Sequence, residues 1–278
     1  MLNSIKQNLI KFKLGRAVLG KMLTFRARRR LQQAVTIYYD KLWIHVNSGT
    51  YIAQWMPNTK LNPSSGQTML LSRWERLYLP NKGDTVLYLG AGVGGETLMF
   101  SKLVGDEGQV ISLEAHPKTL SCLKKTVELN NLSNVKCLGY AVAEASKTVE
   151  IENSDQHIGN SIDRTEGVNT IQVQAKSIDQ ICSENSINKL SLLAMNIEGA
   201  EKFAIMGMAE TVCKIERLAI SCHDFKADRL NEDFFRTKKE ILQFVKDIGF
   251  ILFEVEFKTL WERDWVYAYN PNLINRYY

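Results

Sequence analysis

The sequence predicts an α/β protein: a mostly parallel sheet with helices on both faces, preceded by an N-terminal helical extension. Three observations carry that expectation. From Asp84 onward, apolar runs of strand length alternate with helical stretches joined by short links, the pattern of a parallel sheet covered on both sides. The first run ends in a cluster of glycines (Gly90, Gly92, Gly94 and Gly95) just before a helix-forming stretch. The last two strand-like runs lie close together in the chain, as an antiparallel end would.

Taken in order, residues 2–31 read as helix, with Gly15 and Gly20 as points where it could break. Leu2, Ile5, Leu9, Phe12, Leu19 and Leu23 recur at helical spacing and make one apolar stripe, flanked by basic residues. Trp43–Val46 reads as a strand, Trp55–Gly66 as a loop with two prolines, and Ser72–Leu79 as a short helix. In the main domain, strands are expected at Thr85–Leu89, Gln109–Leu113, Val135–Leu138, Val149–Ile151, Thr170–Gln174, Leu190–Ile197, Leu218–Cys222, Phe250–Val255 and Trp265–Tyr269. Helices are expected at Glu96–Val104, Pro117–Asn130 and Asp233–Asp247. The second helix is the clearest: Pro117 suits a first turn, Leu120, Leu123 and Val127 line one face, and Asn130–Asn131 ends it. The chain thus divides into a basic helical extension (1–39), a capping region (40–83) and a main domain (84–278).

Composition narrows the function classes. With 278 residues and 45% hydrophobic residues, the chain fills a core. The five cysteines form no C-x-x-C pair and are expected as reduced thiols, not a disulfide frame or zinc site. No apolar run reaches the roughly 18–20 residues of a membrane span, and no signal peptide is visible, so the expected location is cytoplasmic. Residues 1–39 hold nine Lys or Arg and no Asp or Glu, so residues 40–278 carry a net −4 although the whole chain carries +5. A basic nucleic-acid binder would not be acidic over its body, and no nucleic-acid partner is expected. The basic helix over residues 1–30 has two readings: peripheral contact with an anionic membrane, or packing on the body with a solvated basic face.

The glycine turn also has two readings. Gly90, Gly92 and Gly95 fit the G-x-G-x-x-G of a dinucleotide site, and Gly90, Gly92 and Gly94 fit the G-x-G-x-G of an S-adenosylmethionine site. In a sheet of this kind the ligand sits beyond the C-terminal strand ends, where strand order reverses. Glu114 ends the second strand, 24 residues after Gly90, where a carboxylate accepts both hydroxyls of a ribose. Both cofactors contain one. No second glycine fingerprint appears, which favours S-adenosylmethionine.

VLYLGAGVGGETL, SLEAHPKTLSCLKKTVELNNLSNV, LAMNIEGAEKFAIMGM and AISCHDF, in that order, resemble the FkbM-type family of S-adenosylmethionine-dependent methyltransferases over roughly residues 84–269. The piece Asn196–Glu201 (NIEGAE) is the most specific. The resemblance implies a class I methyltransferase (Rossmann-like) fold with a seven-stranded sheet, S-adenosyl-L-methionine as cofactor, and O-methylation of a sugar, glycolipid or natural-product hydroxyl. It implies that Leu89, Gly90, Ala91, Gly92 and Gly94 form the cofactor loop, that Glu114 with Ala115 and His116 meets the ribose side, and that Ala141–Val142 lies near the adenine. Asn196 and Glu198 fall where cofactor and acceptor meet. Many relatives carry Asp in place of Tyr88 and of Asn196. Glu96 is the substitute for the first, and Glu198 the remaining acid at the second.

Methyl transfer from a sulfonium is an in-line displacement governed by positioning, and a hydroxyl acceptor also benefits from a base. His223, just past the fifth core strand, is the candidate base, oriented by Asp224 or Glu198; the competing reading is that His223 and Asp224 only cap the following segment. Glu198, His223 and Asp224 would also be the ligands if a divalent ion were used, but their spacing matches no compact metal motif, and no metal is expected. Asn160 and Ser161, in the polar loop Ser154–Ser161, and Trp55 are the candidate acceptor contacts. His45 reads as structural, His157 as part of a solvated loop, and Glu201 as a residue that only complements a helix N-terminus. Two other functions remain open: N-methylation of an amine or peptide, for which loss of His223 would matter little, and a binding module that keeps the fold without catalysis.

Overall fold

The computed structural model describes residues 12–64, 78–153, 169–253, 255 and 262–274. The described chain begins with helix α1 (Lys13–Leu31), which runs unbroken through Gly15 and Gly20. The sequence allowed a break there. Instead Gly20 lets the helix lie close on the next strand: a Cβ would stand 3.0 Å from the Ile37 carbonyl oxygen. An antiparallel meander follows, β1 (Thr36–Asp40), β2 (Leu42–Asn47) and β3 (Thr50–Gln54). Only the middle of β2 was expected from sequence. The strands are short, and the tight turns carry weak signals, Lys41 alone and then Ser48–Gly49, all at positive φ. Leu2, Ile5 and Leu9 of the expected stripe and residues 72–77 of the expected helix at Ser72–Leu79 lie outside the described residues.

The central sheet starts with β4 (Thr85–Leu89), then α2 (Gly95–Val104), β5 (Gln109–Leu113), α3 (Pro117–Leu129) and β6 (Val135–Leu138). Next come β7 (Ala141–Val142), β8 (Lys147–Glu152), β9 (Thr170–Lys176) and α4 (Ile178–Glu184). The last part contains β10 (Leu192–Met195), α5 (Glu201–Met206), β11 (Arg217–Ser221), α6 (Asp224–Leu230), α7 (Lys238–Asp247), β12 (Ile251–Leu252) and β13 (Trp265–Tyr269). The sheet order is β12-β13-β11-β10-β4-β5-β6. Numbered along the chain, these seven strands run 6-7-5-4-1-2-3. The pairs from β11 to β6 are parallel, and β13 is antiparallel to both of its neighbours. The expected antiparallel end is present, with the last strand inserted beside β11. β7, β9 and β8 form a separate three-stranded sheet.

Alternation along the strands builds two cores. Leu87 and Leu89 face a layer that includes Ile178 and Ile181 of α4, Ala204 of α5, and Ile241 and Val245 of α7. Val86 and Tyr88 face the opposite layer with Met99, Phe100 and Val104 of α2 and Leu123 of α3. This period of two is what a strand covered on both faces requires. The meander is sandwiched too: Trp43 packs with Leu19, Ala27 and Ile37, while Leu42, Ile44 and Ala53 pack with Cys122 of α3. Three expected elements are shorter, among them the strand expected over Phe250–Val255, which among the described residues is paired only at Ile251–Leu252. The helix expected over Asp233–Asp247 is a 3-10 turn at Asp233–Phe235 followed by α7, because Arg236 turns extended and Phe235 is drawn into the core. The strand expected over Leu190–Ile197 ends at Met195.

Candidate active site

The chain reverses its direction of travel across the sheet between β4 and β10, so a crevice opens at their C-terminal ends. Three glycines line it for three different reasons. Gly90 has a φ of +84°, and a Cβ there would stand 2.0 Å from the Asn196 carbonyl oxygen, so only glycine lets the ends of β4 and β10 approach. Gly94, at φ +97°, is the N-cap of α2 and packs under Leu123. Gly92 has nothing within 4 Å of its Cβ direction: it faces open space. Gly95 is already helical, so Gly90, Gly92 and Gly94 form the turn, the spacing expected of the S-adenosylmethionine site.

Glu114 follows β5 on one side of this turn. Its Oε2 accepts the Gly92 N–H at 2.9 Å, and its Oε1 accepts the His116 N–H at 2.9 Å. Burial pushes its carboxyl up to about 7, against the two backbone hydrogen bonds that lower it. A carboxylate so held, beside an open glycine, presents its remaining lone pairs to a vicinal diol, and the residues here fit a ribonucleoside. His116 is buried, with Nε2 3.2 Å from Asn153 Oδ1. Ala141 and Val142 are buried, and β7 pairs with β9. Leu89 and Ala91 are buried, Ala115 is partly buried, and Glu96 lies in the first turn of α2. Tyr88 is a core residue, edge-on to Phe100 at 5.5 Å, not a site residue.

On the other side, the loop after β10 and the end of β11 bring acids and a histidine together. Asn196 donates its N–H to the Leu89 carbonyl, tying this loop to the glycine turn. Glu198 and Gly199 follow at φ +58° and +98°. A left-handed glutamate is a costly conformation of the kind that gathers at functional sites. The turn swings Glu201 back, so that the N–H groups of Ile197 and Gly199 donate to its carboxylate. Glu201 is 0% exposed and also accepts the Thr237 hydroxyl at 3.1 Å. His223, 3% exposed, lies between the two acids: Nδ1 is 2.9 Å from Glu201 Oε1 and Nε2 is 3.4 Å from Glu198 Oε2. Lys226 pairs with the same Glu198 oxygen.

Burial by itself would lower the His223 pKa, but the charge and hydrogen bond of Glu201, then the charge of Glu198, raise it above its ordinary value. Burial would likewise raise Glu201, and the facing imidazole with the backbone donors brings it below its ordinary value. The two shifts have one cause: each group favours the charged form of the other.

Of the two partners expected for His223, Glu198 stands beside it and Asp224 does not. Asp224 turns away: its Oδ2 accepts the N–H groups of Thr237 and Lys238, capping α7. It therefore neither orients His223 nor joins a metal-binding group, and among the described residues no cluster of three or more His, Cys, Asp or Glu side chains could hold a metal ion. Glu201, expected only to complement a helix end, is the residue that holds Nδ1. The sequence signal was present in the second glutamate of NIEGAE, but its burial and its direction were not readable. Lys226 and Thr237 carried no signal. Trp55 is 44% exposed, with Lys118 Nζ 5.4 Å from its ring centroid at the start of α3. Asn160, Ser161 and His157 lie outside the described residues. His45 is buried, accepts the Asn58 N–H at 3.0 Å, and is lowered to about 4 chiefly by burial, a structural histidine as expected.

A glycine turn at the strand-order switch, a carboxylate ending the second strand and a seven-stranded sheet with an inserted antiparallel last strand define the S-adenosylmethionine-dependent methyltransferase class. The FkbM methyltransferase domain matches residues 89–252, from the end of β4 to the end of β12, and the chain belongs to that family. Its cofactor is S-adenosyl-L-methionine. The fold is similar to a methyltransferase FkbM from Methylobacillus flagellatus KT (15% identity, TM-score 0.48), over 67% of this chain and 43% of that one. It is also similar to Aeropyrum pernix fibrillarin solved with natively bound S-adenosyl-L-methionine (12% identity, TM-score 0.46, 84% and 98% covered). A SAM-dependent methyltransferase from Aquifex aeolicus is a third (15% identity, TM-score 0.40, 75% and 98% covered). These likenesses are too low to carry weight; membership rests on the domain match, which spans more than half of the chain. No curated protein matches the sequence.

Proposed function

We propose that this chain is an O-methyltransferase acting on a hydroxyl of a small acceptor, a sugar, glycolipid or natural product. The observation that carries the reading is the buried pair Glu201–His223 beside Glu198 at the mouth of the crevice. Bound S-adenosylmethionine supplies a methyl group on a sulfonium. Gly92, Glu114 and the N-terminus of α2 hold the cofactor, with Leu89, Gly90, Ala91, Gly94, Glu96, Ala115, His116, Ala141, Val142 and Asn196 shaping its pocket. Glu198, the most exposed of the three central groups, receives the acceptor hydroxyl. Glu201 fixes the proton on His223 Nδ1, which leaves Nε2 of the neutral imidazole to take the hydroxyl proton. An amine acceptor needs no such base. Trp55, Asn160 and Ser161 are the acceptor-side contacts of this reading.

The test is methyl transfer from labelled S-adenosylmethionine to a panel of hydroxylated and amine acceptors. With a hydroxyl acceptor, kcat rises with pH through a value above the ordinary histidine range, because the base is the deprotonated form of a raised imidazole. A profile already flat from about pH 5, near the ordinary carboxylate range, would remove His223 as the base. Turnover of amines that survives His223→Ala would replace O- by N-methylation.

A further inference from the structure

We propose that the outer face of α1 is a docking surface for an anionic lipid bilayer. The helix is apolar on two opposite faces. Leu19, Ala27 and the buried glycines face the meander, with Ile37 and Trp43 beneath them. Leu14, Val18, Met22 and Phe25 follow one another at i, i+4, i+8 and i+11 on the side turned away from the protein, and they are 79%, 45%, 61% and 70% exposed. The stripe expected from sequence is divided by this arrangement: Leu19 and Leu23 pack inward, and a different set faces out. Four large apolar side chains on one exposed helix face are far from scattered surface residues and mark a contact site.

Charge selects the occupant. α1 carries seven Lys or Arg and no Asp or Glu. Lys21 and Arg29 lie within the apolar face, and Arg26 lies beside it. Beside the stripe, a groove of about 940 Å³ between α1 and β1 is lined by Arg16, Lys21, Arg28 and Lys41 together with Phe25 and Tyr38. Its one lining acid, Asp40, is 3.3 Å from Lys125. Arg28 is braced on the Val35 carbonyl at 2.9 Å, and Arg16 on the Tyr39 ring at 4.5 Å, so two cations of the groove are held in place. Apolar side chains entering the acyl boundary with cations at phosphate level is the arrangement of an interfacial helix. A second copy of the chain would set seven cations against seven. A nucleic acid would leave the apolar stripe without a partner.

The experiment is co-sedimentation of the full chain with phosphatidylcholine vesicles, with and without phosphatidylglycerol. Binding is expected only to the anionic vesicles and is weakened by salt. Leu14→Ser and Phe25→Ser each weaken it about tenfold, and Lys21→Gln and Arg29→Gln about fivefold each. All four residues are exposed, and an unchanged melting temperature and cofactor affinity confirm that the variants fold. Equal binding to neutral vesicles, no binding to either, or full binding by the Phe25→Ser variant overturns the proposal. So does a stable dimer that the Leu14 variant abolishes, or salt-sensitive capture of a single-stranded oligoribonucleotide with none of vesicles.

Discussion

Glu114, half-buried, and Glu201, fully buried, lie at the C-terminal edge of one sheet, on opposite sides of the glycine turn, and both accept backbone N–H groups. Their carboxyls nevertheless shift in opposite directions, Glu114 up to about 7 and Glu201 below its ordinary value. Burial acts on both alike. What differs is the partner: Glu114 has dipoles only, whereas Glu201 faces an imidazole that becomes a full positive charge. A site bounded by neutral donors on one side and by a carboxylate–imidazole pair on the other is suited to two tasks, holding neutral hydroxyls and moving a proton.

The comparison can be broken most severely at His223. His223→Ala is expected to lower kcat about a hundred- to ten-thousand-fold with a hydroxyl acceptor and to leave the cofactor Kd nearly unchanged; an equal loss in cofactor binding would show that the two sides are not separate. Glu201→Ala removes the buried partner of His223 Nδ1 and leaves the Gly199 N–H and the Thr237 hydroxyl without their acceptor; it should cost about 3–5 kcal/mol of stability in denaturant unfolding, while a loss under about 1 kcal/mol would mean the pair is solvated. Glu114→Ala should raise the cofactor Kd about ten- to a hundredfold, measured by calorimetry, from the loss of charged hydrogen bonds. Unchanged affinity would detach this residue from the ribose.

A titration sharpens the same contrast. With its folded pKa raised above the unfolded value, Glu114 holds its proton better in the fold, so it makes the ligand-free protein less stable as pH rises from about 4.5 to about 7. The ribose calls for the ionised form, so cofactor affinity should rise about tenfold between roughly pH 6 and 8. That rise should vanish in Glu114→Gln, and a persisting slope would place the titrating group elsewhere. The smallest effect is reserved for Asp224→Ala, which loses the cap on α7 and should cost about 1 kcal/mol without moving the pH profile of kcat. A shifted profile would return Asp224 to the catalytic group.

Much of this was legible in advance, and the reasons are local. β4, β5 and β13 begin and end where expected, because a strand buried on both faces writes nearly its whole length in hydrophobic residues; β6 also does, although it is an edge strand with Lys136 exposed. The glycine turn and Glu114 were readable because each answers to a short-range constraint. β1 and β3 were not, since a short strand with weak turn signals looks like loop until a neighbour pairs with it. The break before α7 escaped for a similar reason: Phe235 leaves helical geometry to reach the core.

The sequence alone determined the parallel sheet, the glycine turn, the acid that ends the second strand and the presence of a basic N-terminal helix, all encoded in neighbouring residues. Only the tertiary structure decided that Glu201 rather than Asp224 holds His223, because a partner is chosen by direction and burial, and residues 22 positions apart meet only when β10 and β11 lie side by side. It also decided which face of α1 is outward. Leu14 and Leu19 are equally apolar in the sequence, and the packing of Gly20 on β1 sets one in solvent and the other in the core.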